Sequence, residues 1–165
     1  MNVDENLVSI ITPTFNSERF IKDTIISILN QSYKHWELLI TDDFSEDKTI
    51  LIIEKFAKKD SRIKLFKSNE NLGKGNALNQ VKHLISTSHV VVHDADLEYF
   101  PSDIIEMFNS SKKHPDSLIL GSRFIGTKDR INVYLRTNIA NKLMSSFFSL
   151  VNFYKVSDVA SCYKL

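Results

Sequence analysis

Cysteine is almost missing from this 165-residue chain: Cys162 stands alone, which excludes an internal disulfide framework and any cysteine-rich zinc site. That agrees with a reducing compartment. Glycine and proline are scarce too, at four and three residues, and neither a low-complexity tract nor an internal repeat divides the chain. One domain, residues 1–165, is therefore expected, with 42% hydrophobic and 25% charged residues as in an ordinary globular protein. No apolar run approaches the ~20 residues of a membrane-spanning helix. The opening "MNVDENLVSIITP" carries acids where a secretory signal carries bases, so no signal peptide is expected. Neither G-x-G-x-x-G nor G-x-x-x-x-G-K-[ST] occurs, which leaves a dinucleotide fingerprint and a phosphate-loop ATPase unsupported. The ending "SCYKL", without a polar tail, points to a chain shortened at its carboxyl end.

The net charge is only +1, but it is unevenly spread. From Gly121 onward seven bases face two acids, a balance of +5, which leaves −4 for the first 120 residues. The last third is expected to meet something anionic, either phosphate groups or a membrane surface, with a solvated basic face as the plain alternative.

Strand and helix signals alternate. Short apolar, β-branched runs at Leu7 to Pro13, Trp36 to Asp42, Ile63 to Lys67, His89 to Asp94 and Ser117 to Ser122 read as strands. Helical periods lie between them: Phe20, Ile21, Ile25, Ile28 and Leu29 share one face, and Ile50, Ile53 and Phe56 begin another. Asn16 or Ser17 is the expected cap of the first helix and Ser45 of the second. Repeated strand–helix–strand units imply an α/β fold, a Rossmann-like open and mainly parallel sheet with helices on both faces.

The strongest chemical signal is "HVVVHDADLEYFP", where an apolar strand ends in Asp94 and Asp96. In a strand, residues i and i+2 share a face, so both carboxylates are expected to aim at one point beyond its carboxyl end, with small Ala95 between. Two hard oxygen donors suit Mg²⁺ or Mn²⁺, which keep positions open for water or phosphate. The competing reading is a turn or cap, in which aspartate bonds its own backbone. His93 falls on the opposite face and reads as a partly buried strand residue. "TPTFNSERF" leads from the first strand into a helix whose early N–H groups can receive an anion. After the second strand, Asp42 and Asp43 can accept from the imide of uracil or the N1–H and amino group of guanine, or can simply make a turn. "NLGKGNAL" sets Lys74 between two glycines at a helix start, a cation near a phosphate or a base.

In order and spacing, "VSIITPTFNSERFI", "LLITDDFSEDKT", "NLGKGNALN" and "VVVHDADLEYFPSDI" resemble the nucleotide-sugar half of family 2 glycosyltransferases of the GT-A fold. The later "GSRF", "NKLMSSFFSL" and "VSDVASCYKL" are similar to the dolichol-phosphate mannose synthase branch, which moves a sugar onto a polyprenyl phosphate. The resemblance implies that Pro13, Thr14 and Phe15 line the nucleotide, Asp42 or Asp43 binds the base and Lys74 flanks it. It further implies that Asp94 and Asp96 hold Mg²⁺ or Mn²⁺ on the diphosphate, with Glu98 a further ligand, and that Arg123, Arg130 and Arg136 face phosphates. Two departures bear on nucleotide preference: Ser17 follows Asn16 where the family has Asn-Glu, and Phe44 replaces the glycine of Asp-Asp-Gly-Ser.

A bound cation stabilises a departing nucleoside diphosphate, and a phosphate acceptor, already anionic near neutrality, needs no strong base. Asp158 is expected to position the acceptor, complete the metal site, or make a turn. The stretch Ile131 to Tyr154 carries Leu135, Ile139, Leu143, Phe147 and Leu150 near helical spacing, suited to a bilayer surface or to core packing. The leading expectation is an inverting, metal-dependent transferase moving a hexose from a UDP- or GDP-sugar to a polyprenyl (dolichyl or undecaprenyl) phosphate. It would work in the cytoplasm, peripherally at the inner membrane face, without a nucleic-acid partner. The alternatives are a family 2 enzyme acting on a sugar hydroxyl in surface polysaccharide synthesis, and a non-catalytic nucleotide-sugar-binding module.

Overall fold

The computed structural model describes residues 4–122, 135–161 and 163–165. Four parallel strands form one sheet: β1 (Asp4–Thr14), β2 (Trp36–Asp42), β3 (Ile63–Lys67) and β4 (Thr87–Val92), in the order β3-β2-β1-β4. Helices α1 (Ile21–Asn30), α2 (Thr49–Ala57) and α3 (Lys74–Val81) connect them, and α4 (Ile104–Lys113) and α5 (Leu135–Asn152) follow. Every residue of β2 is buried, as a central strand of a parallel sheet covered on both faces must be.

The period of two divides the core. Val8 and Ile10 of β1, Leu38 and Ile40 of β2 and Val91 of β4 join a large cluster with Ile21, Ile25 and Ile28 of α1, Ile53 of α2 and Ile104, Met107 and Phe108 of α4. Ile11 and Leu39 project the other way and meet Val81 and Leu78 of α3. Helices thus cover both faces, as the alternation implied.

The strand order places a topological switch between β1 and β4, because the chain builds outward through β2 and β3 before returning to the other side of β1. In register, Ile11 pairs with Val92, and His93 N donates to Ile11 O at 2.9 Å. β1 continues to Thr14, opposite Asp42 of β2. The strand ends therefore surround a notch just past Val92.

Two expectations are corrected, and the alternatives left for α5 are narrowed. The run Ser117 to Ser122 is not a fifth strand of the sheet: Leu120 makes an antiparallel bridge with Lys164, framed by Ile119 N to Leu165 O at 2.9 Å and Gly121 N to Tyr163 O at 2.8 Å. Its partner is the end of the chain, whose Tyr163 is buried in the large core cluster. A side chain at Gly121 would stand 3.1 Å from Tyr163, so glycine permits this approach. Second, Asn16, Ser17 and Ser45 do not cap helices through their side chains: Asn16 Oδ1 accepts from Glu46 N, Ser17 Oγ donates to Phe15 O, and Ser45 Oγ donates to Asp42 Oδ1. Of the two readings left for the α5 stripe, its described side chains do not follow core packing. Leu143, Phe147 and Leu150 are 66, 69 and 72% exposed, whereas Asn141 and Ser145 are buried. Asn141 Nδ2 donates to Asp158 Oδ1 at 2.7 Å, Val159 N donates to Ser145 Oγ at 3.0 Å, and Val156 N donates to Ser149 Oγ at 2.9 Å. No described helix is long and apolar enough to cross a membrane.

Candidate active site

An open cleft of about 190 Å³ lies at the switch point. The end of β1 supplies Pro13, Thr14 and Phe15, the end of β2 supplies Asp43, α3 supplies Lys74 and Ala77, and the turn after β4 supplies Asp94 and Asp96. Four segments distant in sequence thus bring three carboxylates and an ammonium to one concavity, where ligands of open α/β sheets bind.

The two neighbouring aspartates do different work. Asp42 is wholly buried and turned inward: Oδ2 accepts from Ser45 N at 2.8 Å, while Oδ1 accepts from Ser45 Oγ at 2.6 Å and Thr14 Oγ1 at 3.1 Å. It fastens the turn and does not line the cleft. Asp43 does line it, and its carboxylate receives Leu72 N at 3.0 Å and Gly73 N at 2.7 Å, which ties the α3 entrance to β2. Gly73 adopts φ 84°, the region where a side chain is strained, so the glycine before Lys74 is a backbone requirement.

A lace of hydrogen bonds joins the β1–α1 loop to the β2–α2 loop. Asn16 N donates to Ser45 Oγ (2.8 Å), Ser17 N to Thr49 Oγ1 (2.7 Å) and Glu18 N to Asp47 Oδ2 (3.0 Å). In return Glu46 N donates to Asn16 Oδ1 (2.9 Å) and Lys48 N to Glu18 Oε2 (3.0 Å), and Asp43 N reaches Thr14 O (2.8 Å). Partial burial pushes the Asp47 carboxyl up, but bonds from Thr49 and from the Glu18 N–H outweigh it and hold it below the usual carboxylate range.

Asp94 and Asp96 meet at the cleft through a turn, because β4 has already ended at Val92 and Leu97 takes φ 62°. Thr24 of α1 holds this turn from beneath, its Oγ1 lying 3.2 Å from Ala95 O and 3.1 Å from Phe20 O. Lys74 Nζ stands 2.7 Å from each oxygen of Asp94. Asp96 is exposed and its Oδ1 accepts the Glu98 N–H at 3.0 Å. Glu98 itself is outside the cleft lining, and among the described residues no three metal-ligating side chains come together. Two carboxylates with the remaining positions open match a hard cation that shares its shell with water and a diphosphate.

His93 is fully buried under this turn, beside the Tyr163 ring at 5.5 Å, and neither ring nitrogen has a hydrogen-bond partner. Burial drives its pKa down to about 4 against the opposing pull of Asp94, so it is a neutral packing residue near pH 7. Asp158 is buried beneath α5 and does not line the cleft. Arg123 and Arg130 lie outside the described residues, as does the side chain of Arg136. Sequence reasoning missed Ala77 and Thr24. Ala77 follows Lys74 by three positions, the spacing that puts it on the same helix face, and its small side chain leaves the cleft open.

The profile of glycosyl transferase family 2 matches residues 9–165. A UDP-glucose:α-D-GlcNAc-diphosphoundecaprenol β-1,3-glucosyltransferase of Escherichia coli is 39% identical over 57% of this chain and 36% of its own length. A mannosyltransferase from Pyrobaculum calidifontis, solved with GDP-mannose and Mn²⁺, superposes with a TM-score of 0.54 at 27% identity, over 59% of this chain and 30% of its own. Glucosyl-3-phosphoglycerate synthase from Mycobacterium tuberculosis shares the fold with a TM-score of 0.65 at 19% identity, covering 95% of this chain and 55% of that one. The matched segments span 36 to 42% of the first curated relatives, so this chain corresponds to well under half of them. With the profile running from the first buried strand to the last residue, and the GT-A fold shared with solved glycosyltransferases, the chain belongs to glycosyl transferase family 2.

Proposed function

We propose that this chain binds a UDP-hexose with Mg²⁺ or Mn²⁺ and transfers the hexose to a saccharide hydroxyl on a polyprenyl diphosphate at a membrane surface. The observation that carries the donor half is the convergence of Asp43, Lys74, Asp94 and Asp96 on one cleft at the β1/β4 switch. In this reading Asp94 and Asp96 hold the cation, which when bound neutralises charge building on the leaving diphosphate. Phe15, half exposed on the cleft, offers its face to the base. Asp43 keeps acceptor capacity beyond its two N–H bonds and takes the uracil imide, while Lys74 serves a phosphate. The cleft, at about 190 Å³, encloses one end of such a donor.

Support for the acceptor comes from the Escherichia coli relative, whose name gives a UDP-glucose donor and a diphosphoundecaprenol-linked acceptor. The exposed stripe of α5, with Lys142 and Lys155 also exposed, suits an anionic bilayer surface. That stripe equally supports a second reading, direct transfer to a polyprenyl phosphate, the activity implied by the dolichol-phosphate mannose synthase resemblance.

The test is transfer of labelled sugar from UDP- and GDP-sugars into organic-extractable lipid, offered either saccharide-diphosphoundecaprenol or undecaprenyl phosphate. Label from a UDP-sugar in the first acceptor is the expected result, and Asp96→Ala should reduce it by ~10²-fold or more without moving the melting temperature. Label in undecaprenyl phosphate instead selects the second reading. Metal-dependent donor binding with no transfer to either acceptor makes the chain a binding module, and unchanged turnover in Asp96→Ala refutes the cation assignment.

A further inference from the structure

Lys74 occupies the carboxylate that the cation would need. Its ammonium is 2.7 Å from both Asp94 oxygens, so a divalent ion placed there would meet a positive charge at contact distance. The ion pair and a metal–Asp94 bond are alternatives on one carboxylate. The root of Lys74 is fixed, because it opens α3 directly after Gly73, whose N–H Asp43 holds at 2.7 Å. Its head is not enclosed: the Lys74 side chain is 46% exposed and reaches Asp94 across the open cleft along a flexible four-carbon stem.

We propose that Lys74 is a placeholder for the cation in the donor-free chain. Arrival of a nucleoside diphosphate draws the ammonium onto phosphate oxygens and releases Asp94 to the ion. This rests on the metal–diphosphate reading of the cleft and adds a mechanism to it. Metal and nucleotide then bind cooperatively, and by reciprocity each strengthens the other by the same factor, which Lys74 sets. A protein built this way resists loading with a bare divalent ion and assembles its charged site only around a donor.

The experiment is equilibrium dialysis of Mn²⁺ against the full chain, with and without UDP in both compartments, for wild type, Lys74→Met and Lys74→Gln, with Asp96→Asn as the control for the site. Without nucleotide, Lys74→Met and Lys74→Gln are expected to bind Mn²⁺ at least ~5-fold more tightly than wild type, the lower end of ordinary coupling factors. The tightening of Mn²⁺ binding by UDP should be smaller in both variants than in wild type. Nucleotide-free affinity in the Lys74 variants equal to or weaker than wild type overturns the placeholder. Absence of saturable Mn²⁺ binding in every form, UDP included, overturns the underlying metal reading instead.

Discussion

The sheet and helix α5 solve the problem of burial in opposite ways. Around β1 and β2, aliphatic side chains are buried on both faces, and Asp43, Lys74, Asp94 and Asp96 gather at the strand ends where the cleft opens. Among the described side chains of α5 the polar Asn141 and Ser145 are the buried ones, bonded to Asp158 and Val159, while Leu143, Phe147 and Leu150 face outward. The hydrophobic effect organises the first region inward; in the second, among the described residues, the apolar side chains stay at the surface.

The contrast predicts different responses to the same kind of change. Leu38→Ala, in the wholly buried β2, should cost about 2–5 kcal/mol in denaturant unfolding. A loss below about 1 kcal/mol would mean that the core is looser than its burial implies. His93 tests the packing of the sheet against the segment bearing Tyr163, whose ring lies 5.5 Å from its own. Its folded pKa, about 4, lies below the ordinary 6.5, so the unfolded chain binds the proton first. Stability is complete above pH 6.5 and falls as pH drops towards 4, by about 3 kcal/mol in all. His93→Phe should flatten that slope in melts run across the interval. Asp60 gives a separate window: the Arg62 guanidinium holds its carboxyl below the usual range, so its contribution is lost only at more acid pH.

On the α5 side, Asn141→Ala removes a buried donor from Asp158 and should cost about 1–3 kcal/mol, despite deleting hardly any apolar surface. The smallest stability change is expected at two exposed apolar side chains of α5. Phe147→Ser with Leu143→Ser should shift unfolding by no more than about 0.5 kcal/mol each, and the proposed membrane role predicts that the pair loses sedimentation with anionic lipid vesicles. A strong loss of stability in that pair would place the stripe in a core after all.

The four parallel strands were legible because β-branched runs closed by turn residues leave few alternatives, and their observed bounds lie close to those read from sequence. The pairing of Asp94 with Asp96 was legible for an incomplete reason. Strand alternation was expected to bring both to one point, but β4 ends at Val92 and both line the cleft from the turn that follows, where Leu97 takes φ 62° and Thr24 Oγ1 bonds Ala95 O. Periodicity in α5 revealed two faces without revealing which one packs, because spacing records a stripe and not its partner. Asn141, Ser145 and Ser149, at successive intervals of four, were the overlooked signal. Asn16 and Ser17 read as caps because local rules see only the nearest helix, whereas the Asn16 side chain and the Ser17 N–H find partners 30 and 32 residues away.

That lace has a consequence for how such a chain can change over generations. Each of the two loops supplies both donors and acceptors to the other, from Asn16 with Ser45 to Glu18 with Lys48, in a fixed order. A residue inserted into either loop would put every later partner out of step, so the two can lengthen only together. The two loops are therefore expected to vary as one part, with Phe15 and Phe44, whose side chains are exposed, the positions where substitution disturbs the weave least.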